Sequence, residues 1–152
     1  MIPVSPEENK AIVRKFIDAY NTRNLDLFSE LVDPGYIDHT HKQEGIENFR
    51  KLYELAFVAF PDWHEEIVDM IAEEDKVWVC VEAAGTHTGE WNCFGAILPP
   101  TGSKVAITMI FIWRISGGRL AEGWGVDGDS DFRYSLGLMK YTEKGEEMFF
   151  GD

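Results

Sequence analysis

Between Val126 and Phe132 the chain reads Asp127-Gly128-Asp129-Ser130-Asp131, three carboxylates spaced two apart. A carboxylate turned into an aromatic cavity has its pKa raised by desolvation and by like-charged neighbours, as a general base near neutrality requires. The same residues also read as a solvated acidic turn. Strict strand alternation puts Trp124, Val126 and Gly128 on one face, and Asp127 and Asp129 on the other. A bulge, made cheap by Gly123, Gly125 and Gly128, reverses that. Asp127 and Asp129 therefore share a face whichever way the strand end turns.

His39, on a short strand, is a second proton carrier if it faces a cavity mouth. His41 lies two residues on, but no third ligand stands at a telling spacing, so no metal is expected. His64 and His87 lie on strands, where a lone histidine reads as a hydrogen-bonded structural group or as a cavity-lining one. Glu82 sits mid-strand among Val79, Val81, Ala83 and Ala84, where a bare charge is costly. Pairing with Arg114 or Lys104 across the sheet is expected. Cys80 and Cys93 have no basic neighbour in sequence and read as small hydrophobes.

The elements that position these groups are legible. Ser5 and Glu8 form a capping box with Pro6 at the first helical position. Ile12, Val13, Phe16, Ile17, Ala19 and Tyr20 then follow a helical period, and residues 1–24 are assigned to the first helix. A second short helix carries Leu27, Phe28, Leu31 and Val32, and Asp33-Pro34-Gly35 is expected to stop it. Tyr36 to Thr40 reads as a strand. A third helix presents Ile46, Phe49, Tyr53, Ala56, Phe57 and Phe60 before Pro61.

Beyond Pro61 the period changes from 3.6 to 2. Strands are expected near Trp63–Ile71, Lys76–Thr88, Lys104–Ile115 and Arg119–Asp127, with a short fifth around Trp91–Ile97. The turns joining them are short, so the sheet is antiparallel. Residues 131–152 form a C-terminal segment that begins as a helical turn. The fold class is α+β, one domain over residues 1–152, with three helices on a curved antiparallel sheet that encloses a cone. The strands from Lys76 and Lys104 are apolar on both faces. One face packs on the helices, and the other is expected to be covered in a homodimer.

Composition narrows the function. The chain has 152 residues, 14 basic against 27 acidic, and a net charge of −13. Such a chain lacks the basic footprint for nucleic acid and is repelled by anionic membranes. No apolar run approaches the roughly 20 residues of a membrane span. The start, Met1 to Glu8, lacks a signal-peptide pattern, and two cysteines make no disulfide scaffold, so a cytoplasmic location is expected. No glycine-rich phosphate loop occurs, and no cofactor is implied.

Phe16-Ile17-Asp18-Ala19-Tyr20-Asn21, Tyr36-Ile37-Asp38-His39, Glu44-Gly45-Ile46 and Ala59-Phe60-Pro61-Asp62-Trp63 occur in that order. Gly85-Thr86-His87-Thr88-Gly89-Glu90, Pro99-Pro100-Thr101-Gly102, Gly118 to Trp124 and Leu136-Gly137 follow. Together they resemble the SnoaL-type polyketide cyclases of the nuclear transport factor 2-like fold. The resemblance implies cofactor-free ring closure by an intramolecular aldol reaction, with an Asp of the last strand as acid/base. That Asp typically lies four residues after the Trp, which here is Gly128. Gly123 and Phe111 also stand where relatives often carry polar groups. The resemblance further implies pocket roles for Tyr20 and Asn21.

The leading expectation is thus a small enzyme acting on an apolar, carbonyl-bearing molecule. Asp127 or Asp129 serves as acid/base, and His39 and Tyr20 assist. Asn21, Phe16, Phe60, Trp113, Trp124 and His87 line the pocket. A non-catalytic binding cone and a dimeric interaction module are the alternatives. An inward carboxylate favours the enzyme, and a cone packed solid favours the module.

Overall fold

The computed structural model describes residues 5–93 and 95–151. Residues 1–4, 94 and 152 and the Cys93 side chain, on which parts of the N-terminal and cysteine expectations fall, lie outside the described residues.

Helix α1 spans Pro6–Asn21, and its capping box forms as the sequence requires. Ser5 Oγ accepts the Glu8 amide at 3.3 Å, and Glu8 Oε2 accepts the Ser5 amide at 2.7 Å. Its apolar stripe, Val13, Phe16, Ile17 and Tyr20, is fully buried. A 3-10 turn, Leu25–Leu27, leads into the one-turn helix α2, Phe28–Leu31.

Asp33-Pro34-Gly35 does not stop this helix. The chain passes directly into strand β1, Val32–Asp38, which contains all three residues. Strand β1 pairs in parallel with β8, Arg119–Val126, at Val32↔Leu120 and again at Ile37↔Glu122, with an irregularity between. Pro34 and Gly35 fall in that irregularity, where no ladder donor is needed. The sheet is therefore mixed at this one pairing, although its other pairings are antiparallel.

The two-residue strand β2, Gln43–Glu44, precedes helix α3, Ile46–Ala59. Strands β3 (His64–Glu73), β4 (Lys76–Thr86) and β7 (Lys104–Ser116) then build the sheet with β8. Its order is β2-β1-β8-β7-β4-β3. The anticipated fifth strand is a small hairpin, β5 (Trp91–Cys93) against β6 (Ala96–Leu98). Helices α4 (Asp129–Ser135) and α5 (Glu143–Phe150) follow β8.

Register shifts at Ile67/Asp69 in β3 and at Arg114/Ile115 in β7 bend the sheet around α1 and α3. Val77, Val79, Val81 and Ala83 face inward with Ile107, Met109 and Trp113. The aromatic core centres on Phe16, whose ring lies 4.9 Å from Phe28, 5.4 Å from Trp113 and 5.8 Å from Phe49. On the opposite face Trp78 and Ile110 are each 45% exposed. Cys80 is a free, half-buried thiol beside them. Among the described residues no helix is long and apolar enough to cross a membrane.

Candidate functional site

Strand β8 decides which acidic residue enters the cone. Gly123 and Gly125 are paired with Trp113 and Phe111, whereas Trp124 and Val126 are paired with Ile112 and Ile110 on the outer face. Neighbouring strands fill the inward space, which excludes a side chain at Gly123 and crowds one at Gly125. A Cβ on Gly123 would overlap the Tyr36 hydroxyl and the Trp113 ring, and one on Gly125 would meet Phe111. Trp124 is thus outside the cone, stacked on His39 with ring centres 4.4 Å apart and planes at 4°. Asp127 follows the last residue of β8, at the parity of Gly123 and Gly125.

The charge of Asp127 is felt by a histidine, His41. On β1, Tyr36 and Asp38 point inward and Ile37 and His39 outward. The Asp38 carboxylate accepts the Thr40 and His41 amides at 3.0 Å each, reversing the chain, and His41 Nδ1 donates to it at 2.8 Å. Burial alone would raise the Asp38 carboxyl, but the His41 hydrogen bonds outweigh it and hold it below the usual range. His41 is raised, first by its hydrogen bond to Asp38 and further by the charges of Asp38 and Asp127. Both carboxylates thus favour the protonated form of His41, and Asp38 fixes its ring by the hydrogen bond. A groove of about 270 Å³, lined in part by Asp38, Lys42 and Gln43, adjoins it.

Asp129 parts from Asp127 at Gly128, whose φ of 56° starts α4. In the first turn of α4 it accepts Arg133 Nε at 2.8 Å on the exposed side. His39 is also outside, 2.7 Å from Glu122, which accepts Arg114 Nε as well. That pair, first His39 and then Arg114, holds the Glu122 carboxyl low. Arg114 is therefore spoken for, and Glu82 faces solvent opposite Thr108 and Glu66, with no ion pair among the described residues.

Tyr20 and Asn21 converge on a residue that sequence reasoning missed, Glu65. Asn21 clamps its backbone: Nδ2 donates to the Glu65 carbonyl at 2.8 Å, and Oδ1 accepts the Glu65 amide at 3.0 Å. The Tyr20 hydroxyl donates to Glu65 Oε2. Trp63 Nε1 donates to Oε1 at 3.0 Å. Glu65 is 5% exposed, and burial raises its carboxyl against these two donors. Burial, then the Glu65 charge, also raises Tyr20 well above the ordinary phenol range. The available signal was parity, since Trp63, Glu65 and Ile67 share one strand face.

Next to this pair, Tyr53 stacks on Tyr20 at 4.9 Å. Its hydroxyl is raised by burial and then by the charge of Glu65, and makes no hydrogen bond among the described residues. Phe16 and Trp113 are core residues beneath it. Phe60 and His87 form a separate cluster near the β5–β6 hairpin, with ring centres 5.1 Å apart. His87 Nδ1 is 2.9 Å from Thr101 Oγ1, its buried Nε2 has no hydrogen-bond partner among the described residues, and burial lowers its pKa. The structure therefore unites Asp127 with His41 and Asp38, and Tyr20 with Asn21 and Glu65. It sends His39, Trp124 and Asp129 elsewhere.

The sequence profile of the SnoaL-like polyketide cyclases matches residues 10–131. Two relatives are each 28% identical over 118 residues, 73% of this chain. One is the aklanonic acid methyl ester cyclase DauD of Streptomyces sp. (strain C5), matched over 70% of its length. The other is the cyclase of the same description, DnrD of Streptomyces peucetius, matched over 78%. Among solved structures, AclR of Streptomyces galilaeus, described as a putative hydroxylase, is 27% identical. It superposes with a TM-score of 0.78 over 92% of this chain and 87% of AclR.

Proposed function

Because the chain belongs to the SnoaL-like polyketide cyclase family, we propose that it is a cofactor-independent enzyme closing a ring in an apolar, carbonyl-bearing polyketide by acid/base catalysis. The observation that supports this reading is the 2.8 Å hydrogen bond between His41 and Asp38, next to which the charge of Asp127, just past the end of β8, acts on the same imidazole. Asp127 takes a proton from the carbon beside a carbonyl. The developing enolate oxygen is stabilised by His41, whose protonated form Asp38 favours and whose ring it orients. The enolate carbon attacks a second carbonyl of the same molecule, and the alkoxide formed recovers the proton. No atom is lost, so product and substrate are isomers. His41 thus takes the assisting role that the sequence offered to His39.

A chromatographic assay with aklanonic acid methyl ester, the compound in the names of both relatives, tests this. The expected result is conversion to a product of equal mass, slowed about 10²–10⁴-fold by Asp127→Asn. Undiminished turnover by Asp127→Asn would remove Asp127 from the mechanism.

A binding or interaction role on the same fold is the second reading, favoured by the aromatic filling of the cone by Phe16, Phe28, Phe49 and Tyr53. In either reading a second copy covers the apolar outer face around Trp78 and Ile110. The acidic composition, with its lack of affinity for nucleic acid and anionic membrane, suits residence in the cytoplasm.

A further inference from the structure

Helix α5 ends in three consecutive apolar residues, Met148, Phe149 and Phe150, that are 66–69% exposed. The helix itself is well made. Thr142 Oγ1 accepts the Gly145 amide at 3.2 Å, and Glu143, Glu146 and Glu147 keep its earlier turns polar. Consecutive helical positions point about 100° apart, so no single surface within the segment can cover all three side chains. Tyr141 touches Phe149 and Phe150, with ring centres 5.8 and 5.2 Å away, and still leaves both rings exposed. An exposed apolar run of this kind favours association and is kept only where it has a use.

The outer sheet face holds a complementary feature. A depression of about 140 Å³ is lined there by Asp69, Ile71, Trp78, Cys80 and Ile110, among others. An apolar cavity of roughly 150 Å³ is enough to hold a benzene ring, so the depression has the size for one phenyl side chain. The tail of the same copy does not fill it. Phe132, on the helix that leads to this tail, rests against Phe60, Trp63 and Trp91. Those rings lie on the concave side of the sheet with Glu65, to which Trp63 donates. The tail therefore leaves from the face opposite the depression, and one copy exposes both the tip of α5 and Ile71, Trp78 and Ile110.

We propose that α5 joins two copies of this chain, the Phe149–Phe150 tip of each entering the Trp78–Ile110 depression of the other. This rests on the second copy already assigned to the outer face and names the element that covers it. It is independent of the ring-closing chemistry. The exchange is reciprocal, as a two-fold interface requires. An aromatic side chain buries roughly 150–250 Å². Two tips and the sheet surface they cover thus remove on the order of 1,500 Å² from water, the size of a stable interface. A one-sided contact would remove about half of that, the size of a weak one.

The test uses the full chain. Sedimentation velocity is expected to show a dimer for wild type. The double variant Phe149→Ser/Phe150→Ser is expected to weaken it by about 100-fold or more, because two aromatic side chains are lost from each contact. Both residues are exposed, so its circular dichroism should match wild type. Met148→Cys, in a Cys93→Ser background that removes the other cysteine, places a thiol at the tip. A short bis-maleimide is expected to link it to Cys80 of a second copy, giving a species of twice the chain mass that Cys80→Ser abolishes. A wild-type monomer removes the second copy and the docking with it. A dimer of undiminished affinity in the double variant, or a cross-link confined to one chain or absent, overturns the docking alone.

Discussion

The Tyr36 hydroxyl rests on the Cα of Gly123 and accepts a hydrogen bond from Trp113 Nε1 at 3.1 Å, joining three strands at one inward position. This contact is why β8 turns its glycines inward and Trp124 outward.

Gly123→Ala is expected to destabilise the fold by about 1–3 kcal/mol, as overpacking in a rigid core does. In a Tyr36→Phe background the penalty should shrink, because the overlapping oxygen is gone. Urea denaturation of the two single variants and the double variant measures the coupling. Simple additivity would show that Tyr36 is not what occupies the space.

The His41–Asp38 pair gives a pH signature. His41 is raised in the folded state, so its contribution is full below its unfolded value near 6.5 and is lost as pH rises through the folded one. Asp38 is lowered, so its contribution is present above its unfolded value near 3.9 and fades as pH falls through the folded one. The pair therefore stabilises most in the mildly acidic range between those limits. Urea midpoints of wild type and His41→Gln should differ most there and converge toward alkaline pH. A constant difference across that range would remove the ion pair as its cause.

Glu65 carries the opposite sign to Asp38. Its raised carboxyl means that ionisation opposes folding, at a cost that begins above its unfolded value near 4.3 and is complete above the folded one. Glu65→Gln should therefore raise the thermal midpoint at neutral pH, with the gain disappearing below about pH 4. A Glu65→Gln protein less stable than wild type at neutral pH would mean that the Tyr20 and Trp63 bonds outweigh the burial cost.

Arg23 stitches three elements around Glu65. It donates to the carbonyls of Tyr20 at 3.0 Å, Pro61 at 2.7 Å and Trp63 at 2.9 Å, and lies 3.8 Å from the Phe57 ring centre. Arg23→Ala should cost about 2–4 kcal/mol, the sum of lost charged hydrogen bonds and ring contact. Arg23→Lys should recover only part of it, since an ammonium cannot span the three carbonyls in one plane. Chemical denaturation distinguishes the two variants.

The outer sheet face predicts an assembly. Sedimentation should show a species of twice 17.3 kDa. Trp78→Glu or Ile110→Glu, each placing a charge in the apolar face, should convert it to a monomer. A monomer in the wild type would leave the exposed face to another partner.

Much of this architecture was legible before the structure. The capping box, the stripe of α1, the alternation of β4 and β7 and the α+β order follow from local chemistry and periodicity, and all stand where those rules put them. Other features depend on neighbours distant in sequence. Pro34 and Gly35 looked like a helix stop, but they fall in an irregular β1–β8 pairing whose partner lies some eighty-five residues away.

The candidate site divides the same way. Alternation established that Asp127 and Trp124 oppose each other across β8, but a period of two has no preferred sign. A tryptophan beside glycines looked like the buried face. Tyr36, Trp113 and Phe111 reverse it by filling the space above Gly123 and Gly125 from two adjoining strands. Glu65 escaped notice because its partners, Tyr20 and Asn21, come from a helix forty-four and forty-five residues earlier. Residue types and spacing thus settled which groups share a face. Only close packing of side chains brought together in three dimensions settled which face is inside, because steric exclusion acts between neighbours in space and leaves no periodic trace along the chain.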